Sequence, residues 1–95
     1  MEDKFELAAE VIKNAKDYGV TKVSDEKLLE LYGWYKVVTV GKNETSKPGM
    51  LDFKGKAKWE AWNKAGEETT DKDAARQKYI DLVASIVPED KWGSA

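Results

Sequence analysis

Aromatic and cationic side chains alternate at helical spacing in two stretches near the middle of the chain. The first is Tyr32-Gly33-Trp34-Tyr35-Lys36, and the second is Lys54-Gly55-Lys56-Ala57-Lys58-Trp59-Glu60-Ala61-Trp62. Aromatic faces stack on flat rings, and Lys ammonium groups bind phosphate as point charges. On a helix Tyr32 and Lys36 are neighbours at a four-residue step, and Tyr35 lies three from Tyr32 on the same side. Lys54 and Lys58 repeat the step, where like charges disfavour each other by about a few tenths of a kcal/mol. A bound anion would relieve that repulsion. The pattern points to a phosphorylated ligand with a planar ring and an apolar part.

Composition narrows the chemistry. The chain has 95 residues and neither Cys nor His. Ser-His and Cys-His nucleophiles are therefore impossible, as are zinc sites built on imidazole or thiolate. Carboxylate-only catalysis survives in principle, yet none of the 18 acidic residues falls in a recognisable catalytic spacing. The expectation is a protein that is not an enzyme and needs no metal or cofactor. No apolar run approaches the ~18 residues of a membrane span, and the acidic start Met1-Glu2-Asp3-Lys4 is unlike a signal peptide. A reducing cytosol suits a chain without thiols.

The net charge of −2 conceals a segregation. Residues 1–31 carry five Lys and eight acids, residues 65–95 four bases and seven acids, and residues 32–64 seven Lys and three acids. A basic middle on an acidic chain favours a compact anion over a long polyanion, so no nucleic-acid partner is expected.

These side chains need helices to hold them, and four can be read within a single domain, 1–95. The first spans about Asp3 to Lys16, with Phe5, Ala8, Ala9, Ile12 and Ala15 as its buried stripe. Gly19 suits a left-handed cap after it. The second begins at Asp25 under a Ser24 N-cap, carries Leu28, Leu31, Tyr32, Tyr35 and Thr39, and frays over Val37 to Val40. Gly33 inside it costs about 1 kcal/mol relative to Ala, which implies a packing reason. Lys47-Pro48-Gly49 marks a turn in a long polar loop. Asp52 caps a third helix over about Phe53 to Lys64, with Phe53, Ala57 and Trp59 or Trp62 inward. Thr70 and Asp73 resemble a capping box for a fourth, which presents Ala75, Tyr79, Leu82, Val83 and Ile86 before Pro88. The fold class is all-α.

The run from Tyr32 to Gly41, with Lys47-Pro48-Gly49-Met50-Leu51-Asp52-Phe53-Lys54-Gly55-Lys56-Ala57-Lys58-Trp59-Glu60-Ala61-Trp62-Asn63, resembles the signature of acyl-CoA-binding proteins. Phe5, Ala9 and Lys13 fit that family's first helix, and Tyr79-Ile80 its last. The likeness covers about residues 4–87, leaving a short tail at 88–95. It implies a four-helix up-down-down-up bundle, monomeric and cytoplasmic, that carries and buffers medium- to long-chain acyl-CoA esters without chemistry or stable membrane insertion. By the resemblance, Lys36 and Lys58 hold the 3′-phosphate with the Tyr32 hydroxyl, and Tyr35 flanks adenine. Lys54 and Tyr79 are further contacts, Lys13 is an added phosphate contact, and Leu28 and Leu29 line the acyl channel. Trp34 departs from the family pattern and is placed at the rim. The connection Asp17 to Val23 and the region of Glu67-Glu68 are longer than in shorter members.

Plainer roles compete for the same residues. Lysines on amphipathic helices are usually solvated, and Lys56 is read that way. Trp59 and Trp62 are read as core, and Tyr79 packs on Phe5 and Ala9 as well as touching ligand. Asn43-Glu44-Thr45 is read as loop. Two rival functions stand beside the carrier: a helical protein–protein interaction module, and a thioesterase using carboxylates.

Overall fold

Asp3 opens the first helix, α1 (Lys4–Lys13), by accepting the Phe5 amide at 3.0 Å. Residues 3–93 are described in the computed structural model; the first two residues and the last two of the tail lie outside them. A short 3₁₀ turn, Ala15–Tyr18, follows α1 and ends at Gly19, whose φ of 84° is the left-handed cap expected there. Ser24 caps α2 (Asp25–Thr39) through its hydroxyl, which accepts the Lys27 amide at 3.3 Å. Asp52 caps α3 (Phe53–Glu68) by accepting from Gly55 at 3.0 Å. The cap of α4 (Lys72–Ile86) is Asp71 rather than Thr70, and it accepts the Asp73 amide at 2.9 Å. Among the described residues there is no strand.

The directions of the helices follow from which residues meet. Tyr32 lies against Lys58 and Lys36 against Trp62, so numbers rise together along α2 and α3 and the two run parallel. Asp3 pairs with Arg76, while Tyr18 accepts from Lys91, so α1 and α4 also rise together. The connections at 14–24 and 69–71 reverse the chain. The result is the up-down-down-up bundle. α2 packs on both α3 and α4, and α1 packs on α4.

Gly33 is what lets α2 and α3 approach. A methyl group there would overlap the Ala61 carbonyl and lie 3.2 Å from the Ala65 Cβ. The packing reason implied by a mid-helix glycine is thus a backbone-to-backbone contact.

Several expected faces turn out differently. On α2 the buried residues are Leu31, Gly33, Trp34, Val37 and Val38, while Leu28 and Tyr35 stay 45% and 41% exposed. Val37 and Val38 are core residues of an intact last turn, so the fraying expected there does not occur. Trp34 is 5% exposed, and the rim position expected for it is wrong. Its ring shares a helix face with Leu31 and Val38 and floors the cleft between α2 and α3. Phe53 is 74% exposed rather than inward, because it is the first residue of α3 and points off the end of the bundle. α3 also continues to Glu68, beyond the expected stop at Lys64. The tail contributes too: a 3₁₀ turn at Glu89–Lys91 brings Trp92 into the core at 4% exposure, its indole N–H donating to the Val87 carbonyl at 2.8 Å.

Candidate functional site

Helical periodicity places Tyr32, Tyr35 and Lys36 along one side of α2, opposite the stripe buried by Trp34 and Val37. Because α3 runs parallel and close, its own four-residue step meets that side. The Lys58 ammonium lies 5.5 Å from the Tyr32 ring centroid, and the Lys36 ammonium 4.7 Å from that of Trp62. One lysine from each helix therefore reaches across the α2–α3 seam onto an aromatic of the other. Each contact is a cation–π interaction that holds an ammonium group without neutralising it. Neither lysine belongs to an ion pair among the described residues. Lys58 is exposed and Lys36 half-buried.

Three helices meet beside this seam in an aromatic cluster. Phe5 of α1 stacks on Tyr35 of α2 at 5.7 Å and 21°, and tilts against Tyr79 of α4 at 5.0 Å. Tyr35 and Tyr79 lie 6.2 Å apart. Tyr79 is 4% exposed, and burial, helped by Tyr35, pushes its phenol up to about 12. It stays neutral at physiological pH and is a hydrogen-bond group rather than a charge. Tyr35 keeps one ring face against Phe5 and stays 41% exposed, which leaves surface for a flat ring to stack on.

The remaining sequence-predicted residues are more scattered. Lys54 is exposed on the first turn of α3, one turn before Lys58. Lys13 ends α1 and lines a cleft of about 470 Å³ with Ile12, Val20, Val23, Leu28 and the neighbouring Lys16 and Lys22. The long connection after α1 forms one wall of that cleft. Leu29 opens elsewhere, into a cleft of about 560 Å³ between α2 and α3 floored by Trp34, Ala57, Ala61 and Ala65. Leu28 and Leu29 thus flank Tyr32 from two separate clefts instead of lining one channel. Lys56 is half-buried, more enclosed than the solvated position expected of it.

Sequence reasoning missed how the loop before α3 is secured. Trp62 Nε1 donates to the Gly41 carbonyl at 2.7 Å, and Trp59 Nε1 donates to the Thr45 carbonyl at 3.0 Å. Asn43 is buried and donates from Nδ2 to the Trp59 carbonyl at 3.3 Å, while its Oδ1 accepts from the Thr45 amide and hydroxyl. Asn43-Glu44-Thr45, read from the sequence as loop, folds as an Asx turn.

Comparison with known proteins places this geometry in context. Residues 2–83 match the family model described as acyl CoA binding protein. An acyl-CoA-binding protein homolog of Drosophila melanogaster is 45% identical over 85 residues, covering 90% of this chain and 92% of its own. The acyl-CoA-binding protein homolog 1 of Caenorhabditis elegans is 43% identical over 90 residues and 95% of each chain. Among solved structures, Oryza sativa acyl-CoA-binding protein 2 superposes with a TM-score of 0.77 at 34% identity, over 93% of this chain and 89% of that one.

Proposed function

This chain belongs to the acyl-CoA-binding protein family, and on that premise we propose that it is a carrier and buffer binding medium- to long-chain acyl-CoA esters non-covalently. The observation that carries the reading is the pair of unneutralised lysines, Lys36 and Lys58, held across the α2–α3 seam next to Tyr32. In this reading they grip the 3′-phosphate together with the Tyr32 hydroxyl. Tyr35 stacks with adenine, and buried Tyr79 backs the platform through Phe5 and Tyr35. Lys54 and Lys13 supply further phosphate contacts from either end of the site.

The acyl chain runs over Leu28, one turn before Tyr32 on α2, while Leu29 opens into the separate cleft between α2 and α3. Leu28 leaves 45% of its surface for a ligand to cover. Each buried methylene contributes up to about 0.8 kcal/mol, so two extra carbons tighten binding by up to roughly tenfold. The nucleotide then selects the ligand class and chain length sets the affinity. No helix among the described residues is long and apolar enough to cross a membrane. A cytoplasmic monomer that performs no chemistry on its ligand completes the proposal.

The test is a calorimetric titration with acyl-CoAs of rising chain length, free CoA and free fatty acid. Affinity should rise steeply with chain length, with free fatty acid bound poorly. Absence of heat with any acyl-CoA would discard the carrier in favour of an interaction module, and steady release of free thiol would point to hydrolysis.

A further inference from the structure

Gly33 and Ala61 mark the line where α2 and α3 touch, and the paired lysines lie to one side of it. On α2, helical periodicity sets Tyr32 and Lys36 to one side of Gly33 and Glu30 and Trp34 to the other. On α3 it sets Lys58 and Trp62 to one side of Ala61 and Glu60 and Lys64 to the other. The cleft of about 560 Å³ opens on the side away from the lysine pair. We propose that this cleft docks a basic amphipathic helix of a partner protein, leaving the lysine side of the seam free for its ligand.

The floor supplies the apolar half of the recognition. Trp34, which departs from the family pattern, lines it with Leu29, Ala57, Ala61 and Ala65. Small side chains along α3 keep the trough open above the indole. Its volume lies within the ~300–1,000 Å³ usual for ligand sites. A trough of this kind between two helices accepts the apolar face of a third, whose anchors recur at i, i+3, i+4 and i+7.

Charge decides which helix fits. The walls carry four carboxylates, Glu26, Glu30, Glu60 and Glu68, against the single ammonium of Lys64. Glu26 and Glu30 belong to no ion pair among the described residues. Glu60 and Glu68 meet Lys47 and Lys78 at 3.5 Å, in exposed pairs that contribute little and can exchange for an incoming cation. Lys and Arg flanking an apolar stripe would meet these walls while the stripe covers the floor. A nucleotide or an anionic bilayer would be repelled by the same carboxylates.

The probe is a synthetic helical peptide with Leu at i, i+3, i+4 and i+7 and Lys between them, titrated into isotope-labelled protein and followed by amide NMR shifts. Binding is read first without ligand, so it stands or falls apart from the carrier reading. Shifts should cluster at Glu26, Glu30, Trp34 and the Ala57 to Glu68 stretch, and a peptide with Gln in place of Lys should bind far more weakly. Glu26→Lys with Glu30→Lys should weaken the peptide roughly tenfold, and Lys64→Glu should tighten it. Acyl-CoA added to the complex should leave the peptide bound. Shifts confined to other acidic surfaces, equal affinity in the double variant and wild type, no tightening in Lys64→Glu, or displacement of the peptide by acyl-CoA would each overturn the proposal. So would self-association in sedimentation that the double variant abolishes, since the occupant would then be a second copy of this chain.

Discussion

Lys36 and Lys58 show how a side chain can be held in place and still remain available. Each ammonium rests against an aromatic ring, which restricts its motion but leaves its charge free for an anion. Lys36→Ala or Lys58→Ala should weaken acyl-CoA binding by about 1.5–3 kcal/mol, roughly ten- to hundredfold in Kd. Isothermal titration measures that loss, and an unchanged Kd in either variant would remove that lysine from the site. Tyr79 makes a different prediction. Its phenol is raised from 10.0 to about 12 by burial, so the fold favours the neutral ring. The associated stability is complete below pH 10 and should be lost as pH rises from 10 towards 12. Denaturant titrations across that window should show a fall in wild type that is shallower in Tyr79→Phe. Parallel curves would mean that Tyr79 ionises as freely in the folded protein as in the unfolded one.

At the scale of elements, the site exists because α2 and α3 run parallel at close range. Helices of that orientation cannot be joined by a short turn, and residues 40–52 supply the long return. The tryptophans of α3 then tie the first part of that return down. Gly33 sets the separation, because the Ala61 carbonyl occupies the space a side chain would need. Gly33→Ala gains about 1 kcal/mol of helix propensity. The overlap is with backbone, which cannot rotate aside, so the net effect should be a loss of about 1–3 kcal/mol. A lowered midpoint in urea, with weaker ligand binding as Lys58 is pushed from Tyr32, is the expected result. A stabilised variant would show that the two helices are not in backbone contact at this point.

Across the whole molecule, the core reaches further along the chain than the motif-bearing residues do. Trp92 belongs to the short tail at 88–95, yet it is as buried as Leu31 in the centre of α2. The adjoining Lys91 also donates to the Tyr18 carbonyl at 3.3 Å, so the tail ties the end of α4 to the turn after α1. Trp92→Ala should cost about 3–5 kcal/mol in unfolding free energy, the loss typical of a large aromatic removed from a core. Well below its melting temperature the variant should bind acyl-CoA as wild type does, because Trp92 lies apart from Tyr32, Lys36 and Lys58. A small stability change would mean that the tail rests on the bundle without supporting it.

Local patterns sufficed for much of this protein. Ser24, Asp52 and Gly19 announced helix ends, because a cap is satisfied by atoms two or three residues away. The Tyr-Lys and Lys-Lys steps announced which side chains share a face, because helical periodicity is a property of the backbone alone. Packing decided the rest. Which side of α2 is buried depends on where α3 and α4 lie, so Trp34 and Val38 went inward and Leu28 outward against the expected stripe. Phe53 looked like core because it is apolar and begins a helix, but only the position of the bundle's end shows that nothing lies beneath it. The separation of Leu28 and Leu29 into two clefts and the burial of Trp92 rest on contacts between distant segments, and no neighbouring residue in the sequence carries that information.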